Sequence, residues 1–313
     1  MRPRIYINMY IMKITTVIVT YNRLELLRRT VEAVLGQSRR PDEVIVVNNG
    51  STDGTARWLA GRGELTVLTQ DNVGGSGGFF AGMKAATEGG ADLLWCMDDD
   101  VFPRPDCLER LLEALHDRPG TGIAAPARVQ DGKVVGRRFI RYNLTNPLAS
   151  MYGGKERFPA DGAPLEVAGV PFEGPLVRRE VVERAGLPNR DLFIFCDDTD
   201  FCLRAGLAGF GIVYVPAAAM DKAVFFGDAS WGEREEKKKW KRYYQVRNAT
   251  YLNHRYGRNW AVRYLRGLLG AAGYMLTAAL TAPFSRGWRY ADIPRLGRAW
   301  RDGVRERLGR MAP

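Results

Sequence analysis

An α/β fold, with a Rossmann-like and mostly parallel sheet flanked by helices, is what this 313-residue sequence predicts, on three observations. The first hundred residues alternate short apolar, β-branched runs with helical patterns; two apolar runs stop abruptly at clustered carboxylates; and the segment from Arg234 to Arg310 is crowded with Lys and Arg. Alternation of strand and helix places parallel strands side by side. Open sheets of that kind bind ligands at the C-terminal ends of their strands, so carboxylates at such ends read as a site.

The elements follow in order. Lys13 to Thr20 (KITTVIVT) is a buried strand, ended by Tyr21-Asn22-Arg23 and followed by helical spacing over Leu24 to Leu35. Glu43 to Val47 is a second strand; the run Asn48 to Thr55 after it combines turn formers with N-cap residues for a helix near Ala56 to Leu59. Leu65 to Thr69 is a third strand, leading through Asn72-Val-Gly-Gly-Ser-Gly-Gly-Phe79 into a helix to about Glu88, and Leu93 to Met97 is the fourth. From Ile123 the pattern loosens into Gly, Pro and short strand-like pieces, suited to shaping an acceptor pocket. After Lys222 the chain turns basic and helical. The expected division is an N-terminal extension over 1–12, a catalytic domain over 13–225 and a basic helical C-terminal region over 226–313, with the boundary near Phe225 to Trp231.

Composition bounds the rest. At 46% hydrophobic residues the chain has ample material for a core, which argues against disorder. A net charge of +11 suits nucleic acid, an anionic membrane surface or a phosphate-rich substrate. Because the acidic clusters lie before the basic segment, tail and chemistry are expected to serve different partners. Four cysteines without Cys-x-x-Cys spacing read as buried, reduced thiols of a cytosolic protein. The N-terminal run lacks a small-residue cleavage site, so a secretory signal is not expected. Gly267 to Ser285 is uncharged but rich in glycine and small residues, a marginal membrane span at best.

Three segments carry chemistry. Ala91 to Val101 ends an apolar run at Asp98-Asp99-Asp100, and with two histidines in the chain a cation there would be held mostly by oxygen. That suits Mg²⁺ or Mn²⁺, with a diphosphate filling the remaining positions. The loop holding Asn72, Gly74, Gly75, Gly77 and Gly78 would let backbone amides approach a phosphate or ribose, although it lacks the Gly-x-Gly-x-x-Gly order and the Walker lysine. A second apolar run ends at Asp197-Asp198-Thr-Asp200, where a helix begins; one acid of such a pair can orient a substrate while the other accepts a proton.

Taken together, TVIVTYNR, VVNNGSTDGT, NVGGSGGF, WCMDDDV and FIFCDDTDFCLRA stand in the order found in inverting nucleotide-sugar glycosyltransferases with a GT-A fold. The chain resembles that family over Lys13 to about Lys222, and within it is most similar to the galactofuranosyltransferases, with bacterial rhamnosyltransferases next. The resemblance implies that Asp98, Asp99 and Asp100 bind the divalent metal and the sugar diphosphate, with Asp100 the direct ligand. It implies that Asp198 is the catalytic base, that Asp197 holds the acceptor sugar, and that Thr20, Tyr21, Asn22, Arg23, Asn48 and Ser51 line the nucleotide pocket. The implied donor is UDP-galactofuranose, with a dTDP- or UDP-linked rhamnose or other hexose as the alternative. The acceptor would be a lipid-linked or polysaccharide glycan.

Two departures stand out. Many relatives have Asp where this chain has Asn48, whose amide still matches the O4 and N3–H edge of uracil or thymine. Relatives also carry a metal-binding His after the last core strand. Here the sequence is Val215-Pro-Ala-Ala-Ala-Met-Asp221-Lys222, so Asp221 is expected to supply an oxygen in its place, and Lys222 could contact only phosphate. Trp231 and the run Lys237 to Asn248 mix basic and aromatic residues, as do surfaces that bind single-stranded nucleic acid or membranes. For an enzyme elongating lipid-linked glycans, the expectation is a cytoplasmic protein docked on the inner face of the cell membrane and no nucleic-acid partner. A nucleic-acid-binding module is the competing class; it leaves both acidic clusters unexplained. A sugar nucleotidylyltransferase would open with a Gly-rich first loop, and TYNR has no glycine.

Overall fold

The computed structural model describes residues 12–135, 140–153, 162–224, 236, 239–284 and 287–311. The N-terminal extension before Met12, the boundary segment Phe225 to Trp231, and Lys237 and Lys238 of the basic run lie outside the described residues.

The first four strands are β1 (Ile14–Thr20), β2 (Glu43–Asn48), β3 (Thr66–Thr69) and β4 (Leu93–Asp98), joined through α1 (Leu24–Leu35), α2 (Thr55–Ala60) and α3 (Gly74–Glu88). All are parallel, in the order β4-β1-β2-β3. There follow β5 (Val101–Pro103), α4 (Cys107–His116), β6 (Thr121–Gln130), β7 (Lys133–Val135), β8 (Arg141–Tyr142), β9 (Tyr152–Gly153), β10 (Leu165–Val167), β11 (Leu176–Arg178), α5 (Arg179–Ala185), α6 (Asp197–Leu207) and β12 (Gly211–Lys222). The full sheet runs β10-β12-β6-β11-β4-β1-β2-β3; β11 and β10 are antiparallel to their neighbours, and β12 is parallel to β6. The C-terminal helices are α7 (Arg242–Tyr256), α8 (Gly267–Thr281) and α9 (Asp292–Val304).

Every residue of β1 is buried because helices cover both faces of the sheet. Side chains alternate: Ile14 and Ile18 join Leu27, Val31 and Leu108 on one side, while Val17 and Val19 meet Phe79 and Met83 of α3 on the other. Trp95, fully buried on β4, donates its indole N–H to the Gly174 carbonyl at 2.9 Å. Helix α3 lies so close to β1 that a Cβ at Gly78 would collide with Val19 Cγ1, and one at Gly82 with Val17 Cγ1. Gly82→Ala should therefore lower unfolding free energy by a net of about 1–2 kcal/mol, overpacking outweighing the better helix propensity of alanine. A denaturant midpoint unchanged or raised would contradict this packing.

The apolar run Leu192 to Cys196, though it ends at carboxylates as β4 does, is not a strand. Phe193, Phe195 and Cys196 have φ of 66°, 68° and 66°, and the apolar side chains turn to the C-terminal helices, where Phe193 stacks on Tyr244 at 4.9 Å between centroids. Buried polar groups of α7 hold this bend: Asn248 Nδ2 donates to the carbonyls of Leu192, Ile194 and Phe195 at 3.0, 2.8 and 2.9 Å, and Arg247 Nη2 to that of Leu192 at 2.9 Å. Left-handed non-glycine residues persist only where surroundings overdetermine them, and they cluster at functional sites.

Candidate active site

The β1 and β4 ends meet in a charged cluster. Thr20 Oγ1 donates to Asp99 Oδ2 at 2.7 Å, and Arg23 Nη1 reaches Asp99 Oδ1 at 3.1 Å and Asp100 Oδ2 at 3.2 Å. Asp99 is thus fully engaged as an organiser; burial pushes its carboxyl up to about 6 against the pull of Arg23 and Thr20. Asp98 lies well above the ordinary carboxylate range, first by burial and then by the charges of Asp100, Glu173 and Asp99. Asp100 Oδ1 is buried without a hydrogen bond, with Lys222 Nζ 3.7 Å away.

A cavity of about 610 Å³ opens over this cluster. Thr20, Tyr21, Arg23, Asn72, Gly74, Gly75, Asp98 and Asp99 line one side; Trp240, Lys241, Tyr244, Arg295 and Arg310 line the other. Residues of the basic tail therefore wall the same cavity as the acidic cluster, contrary to the separation expected from charge distribution, because α7 and α9 pack back over the strand ends. Of the predicted residues, Asn22, Asn48, Ser51, Gly77, Gly78 and Asp100 are not among the described residues lining it. Asn48 Oδ1 accepts from Ser51 N at 3.0 Å, Ser51 Oγ accepts from Asn22 N at 3.0 Å, and Asn22 Oδ1 accepts from Thr52 N at 2.6 Å. These three residues knit two loops together.

The glycine-rich segment is the start of α3. Gly77 and Gly78 serve close packing, against Val73 and Val19. Gly74, at φ 80°, lets the chain pass the Phe193 carbonyl, which a Cβ would strike and which accepts from Ser76 N at 3.2 Å. Asn49, not singled out from sequence, clamps this start: its Nδ2 donates to Gly74 O at 3.0 Å and its Oδ1 accepts from Gln70 Nε2 at 3.0 Å.

Asp197 and Asp198 open α6 directly after the strained bend, where the helix N-terminus favours negative charge. Thr199 N and Oγ1 donate to Asp198 Oδ1 at 2.6 and 3.1 Å. Burial raises both carboxyls, and the charge of Asp198 raises Asp197 further. Asp198 lines a second cavity, of about 640 Å³, with Tyr152, Phe195, Thr199 and the α8 residues Gly267, Gly270, Ala271 and Tyr274. Asp200 is structural: it pairs with Arg204 at 2.9 Å and accepts from Tyr256 of α7 at 2.6 Å.

Glu173 links the two acidic groups and was not marked by any motif. It is ion-paired to Arg128 and to Lys222 Nζ, the latter at 2.6 Å; burial opposes its charge, but these cations hold it below the ordinary value. Its own charge raises both Asp98 and Asp198. The one available signal was an acid beside Gly174, which has φ 93°, in Pro171-Phe-Glu-Gly-Pro175.

The structure does not bring Asp221 to this cluster; its partner is Arg104, at 3.0 Å on the exposed side of β12, and Lys222 is the residue facing Asp100. Among the described residues no group of three or more His, Cys, Asp or Glu is arranged to hold a metal ion. Two oxygen donors nevertheless fit one: Asp98 at the cavity wall, and Asp100 with its buried, unbonded Oδ1. One or two carboxylates completed by substrate phosphates is a usual Mg²⁺ arrangement. The four cysteines are free thiols; burial pushes Cys202 up to about 12, which leaves it unreactive.

Comparison with known proteins gives the family and the fold. The galactofuranosyltransferase GlfT1 of Mycolicibacterium smegmatis is 29% identical over 205 residues, which cover 62% of this chain and 66% of that protein, slightly under two thirds of its length. Among solved structures, S. aureus TarS (residues 1–349) superposes with a TM-score of 0.56 at 16% identity, over 95% of this chain and 82% of that one. The mannosyltransferase PcManGT from Pyrobaculum calidifontis, solved with GDP-Man and Mn²⁺, gives 0.53 at 17% identity over 94% and 88%. These are GT-A folds. Residues 15–185 match the description "Glycosyl transferase family 2", and with more than half the chain so matched, the protein belongs to that family.

Proposed function

We propose that this protein is a glycosyltransferase that transfers galactofuranose from UDP-galactofuranose, with inversion, to a lipid-linked or polysaccharide glycan. The observation that supports it most is the pairing of two cavities: one walled by Asp98, Asp99, Arg23, Lys241, Arg295 and Arg310, the other holding Asp198. The first has the charge pattern for a nucleoside diphosphate, basic groups around oxygen donors, with the exposed rings of Tyr21 and Trp240 available to pack on a base. The choice of sugar rests on relatives such as GlfT1.

In this reading Asp98 and Asp100 hold Mn²⁺ or Mg²⁺. When bound, the ion offsets charge building on the departing diphosphate. Arg23 and Lys222 face Asp100 and so position one of those carboxylates, and the basic C-terminal residues receive the diphosphate. Asp198 takes the proton of the acceptor hydroxyl as that oxygen attacks the anomeric carbon, and Asp197 positions the acceptor sugar. A divalent ion and a nucleotide sugar are both present in the PcManGT complex.

A panel of UDP- and dTDP-sugars, scored by nucleotide release with and without chelator, tests the donor. UDP-galactofuranose should be used at least about 10-fold better than dTDP-rhamnose or UDP-pyranoses, each sugar hydroxyl contact shifting preference by about 1–3 kcal/mol. The reverse order would replace the donor and leave the fold and family unaffected.

A further inference from the structure

Helix α8 is arranged inside out for an element that meets only water. Its buried positions, Gly267, Ala271 and Ala278, are small and lie on one face. The opposite face carries Leu269, Leu276 and Leu280, the last two 60% and 65% exposed. Spacings of seven and four residues put these leucines in one line. A helix on an aqueous surface carries charge there, but from Gly267 to Phe284 this chain has none.

Both ends of the helix expose aromatic and basic residues together. Trp260 stands with Arg258 and Arg263 before it; Phe284, 91% exposed, is followed by Arg289 and Tyr290. An apolar face bounded by arginines and aromatic rings matches the headgroup boundary of a bilayer. A π-helical turn, Ala261–Arg266, leads into α8 and carries Arg263 and Arg266, so the charge-free helical stretch is fifteen residues and rises about 22 Å, short of a hydrocarbon core of about 30 Å. Among the described residues no helix is long and apolar enough to cross a membrane. Lying in the interface is the geometry that length permits. A second copy is a poorer occupant, since two chains of net charge +11 would oppose arginine-rimmed faces, whereas anionic lipid attracts them.

The inner side of the same helix, through Gly267, Gly270, Ala271 and Tyr274, walls the cavity of Asp198. We infer that α8 docks this protein on an anionic lipid bilayer and seats the Asp198 cavity against it, so that the acceptor sugar arrives from the membrane surface. The direction of arrival rests on the proposed role of Asp198; the docking does not.

Flotation of the full chain with phosphatidylcholine vesicles, with and without phosphatidylglycerol, tests the docking. The protein should float with the anionic vesicles and less so at high salt. Leu276→Glu combined with Leu280→Glu should reduce that partition about tenfold or more, while keeping the melting temperature and the nucleotide release from donor alone. Leu207→Glu, an equally exposed leucine at the end of α6, should leave it unchanged. Wild-type protein that stays unbound, or a double variant that floats equally well, would overturn the inference. So would light scattering that shows a dimer dissociated by the double variant, since the face would then join two copies. A donor other than UDP-galactofuranose in the panel above would alter the proposed function alone.

Discussion

Asp198→Asn is expected to lower glycosyl transfer by about 100-fold or more while UDP affinity stays within about twofold of wild type. Asparagine keeps the oxygen that accepts from Thr199 N and Oγ1, so the start of α6 should hold its shape; only the capacity to take a proton is lost. The variant should also be as stable as wild type or more so. Burial raises the folded-state pKa of both Asp197 and Asp198, so carrying their charges destabilises the fold at neutral pH, and the penalty is relieved as pH falls through the raised values. Removing one charge removes part of it. By the same sign, wild-type turnover should fall on acidification at a pH above the ordinary carboxylate range, as the base becomes protonated. Titration calorimetry with UDP, thermal melting and initial rates check the three parts; transfer near the wild-type rate would remove Asp198 from the mechanism.

The second large effect concerns Asp100. Asp100→Ala removes the buried, unbonded Oδ1 and one of two carboxylates held by Arg23, but Arg23 keeps Asp99, so the strand ends should remain ordered. Transfer should fall by about 100-fold or more, since a metal contributes several kcal/mol of charge stabilisation at the leaving phosphates. The increase in UDP affinity on adding Mn²⁺ should disappear as well. Asp221→Ala, which severs only an exposed pair with Arg104, should leave both within about twofold, exposed ion pairs being weak. Calorimetry of UDP with and without MnCl₂ separates the variants. An undiminished Mn²⁺ effect in the Asp100 variant would show that the ion binds elsewhere.

The parallel half of the fold was legible because β1, β2 and β4 are buried on both faces and so appear as unbroken apolar runs, whereas the exposed edge strand β3 shows only in its β-branched composition. The carboxylates at the β4 end and at the start of α6 were legible for a related reason: apolar runs that stop at acids are conspicuous. What escaped notice depends on geometry that spacing does not encode. Lys222 rather than Asp221 faces the acidic cluster; β12 is irregular between Val215 and Ala219 against β6, so side-chain parity cannot be counted from the strand's start. Glu173 meets Arg128 and Lys222 across 45 and 49 positions of chain. Leu192 to Cys196 has a strand's composition, yet its bend is fixed by Arg247 and Asn248 from α7. The tail was read as a surface because its charge is plain in the sequence, whereas its return over the cavity at the β1 and β4 ends is a matter of tertiary packing.

The central claim is a single displacement at the anomeric carbon with Asp198 as the base, and the configuration of the first-formed product tests it most directly. Anomeric coupling in the proton NMR spectrum of that product, taken at early times from UDP-galactofuranose and acceptor, should show the newly attached sugar with configuration opposite to that in the donor. Retention of the donor's configuration would require two displacements or a different route, and would contradict the role given to Asp198.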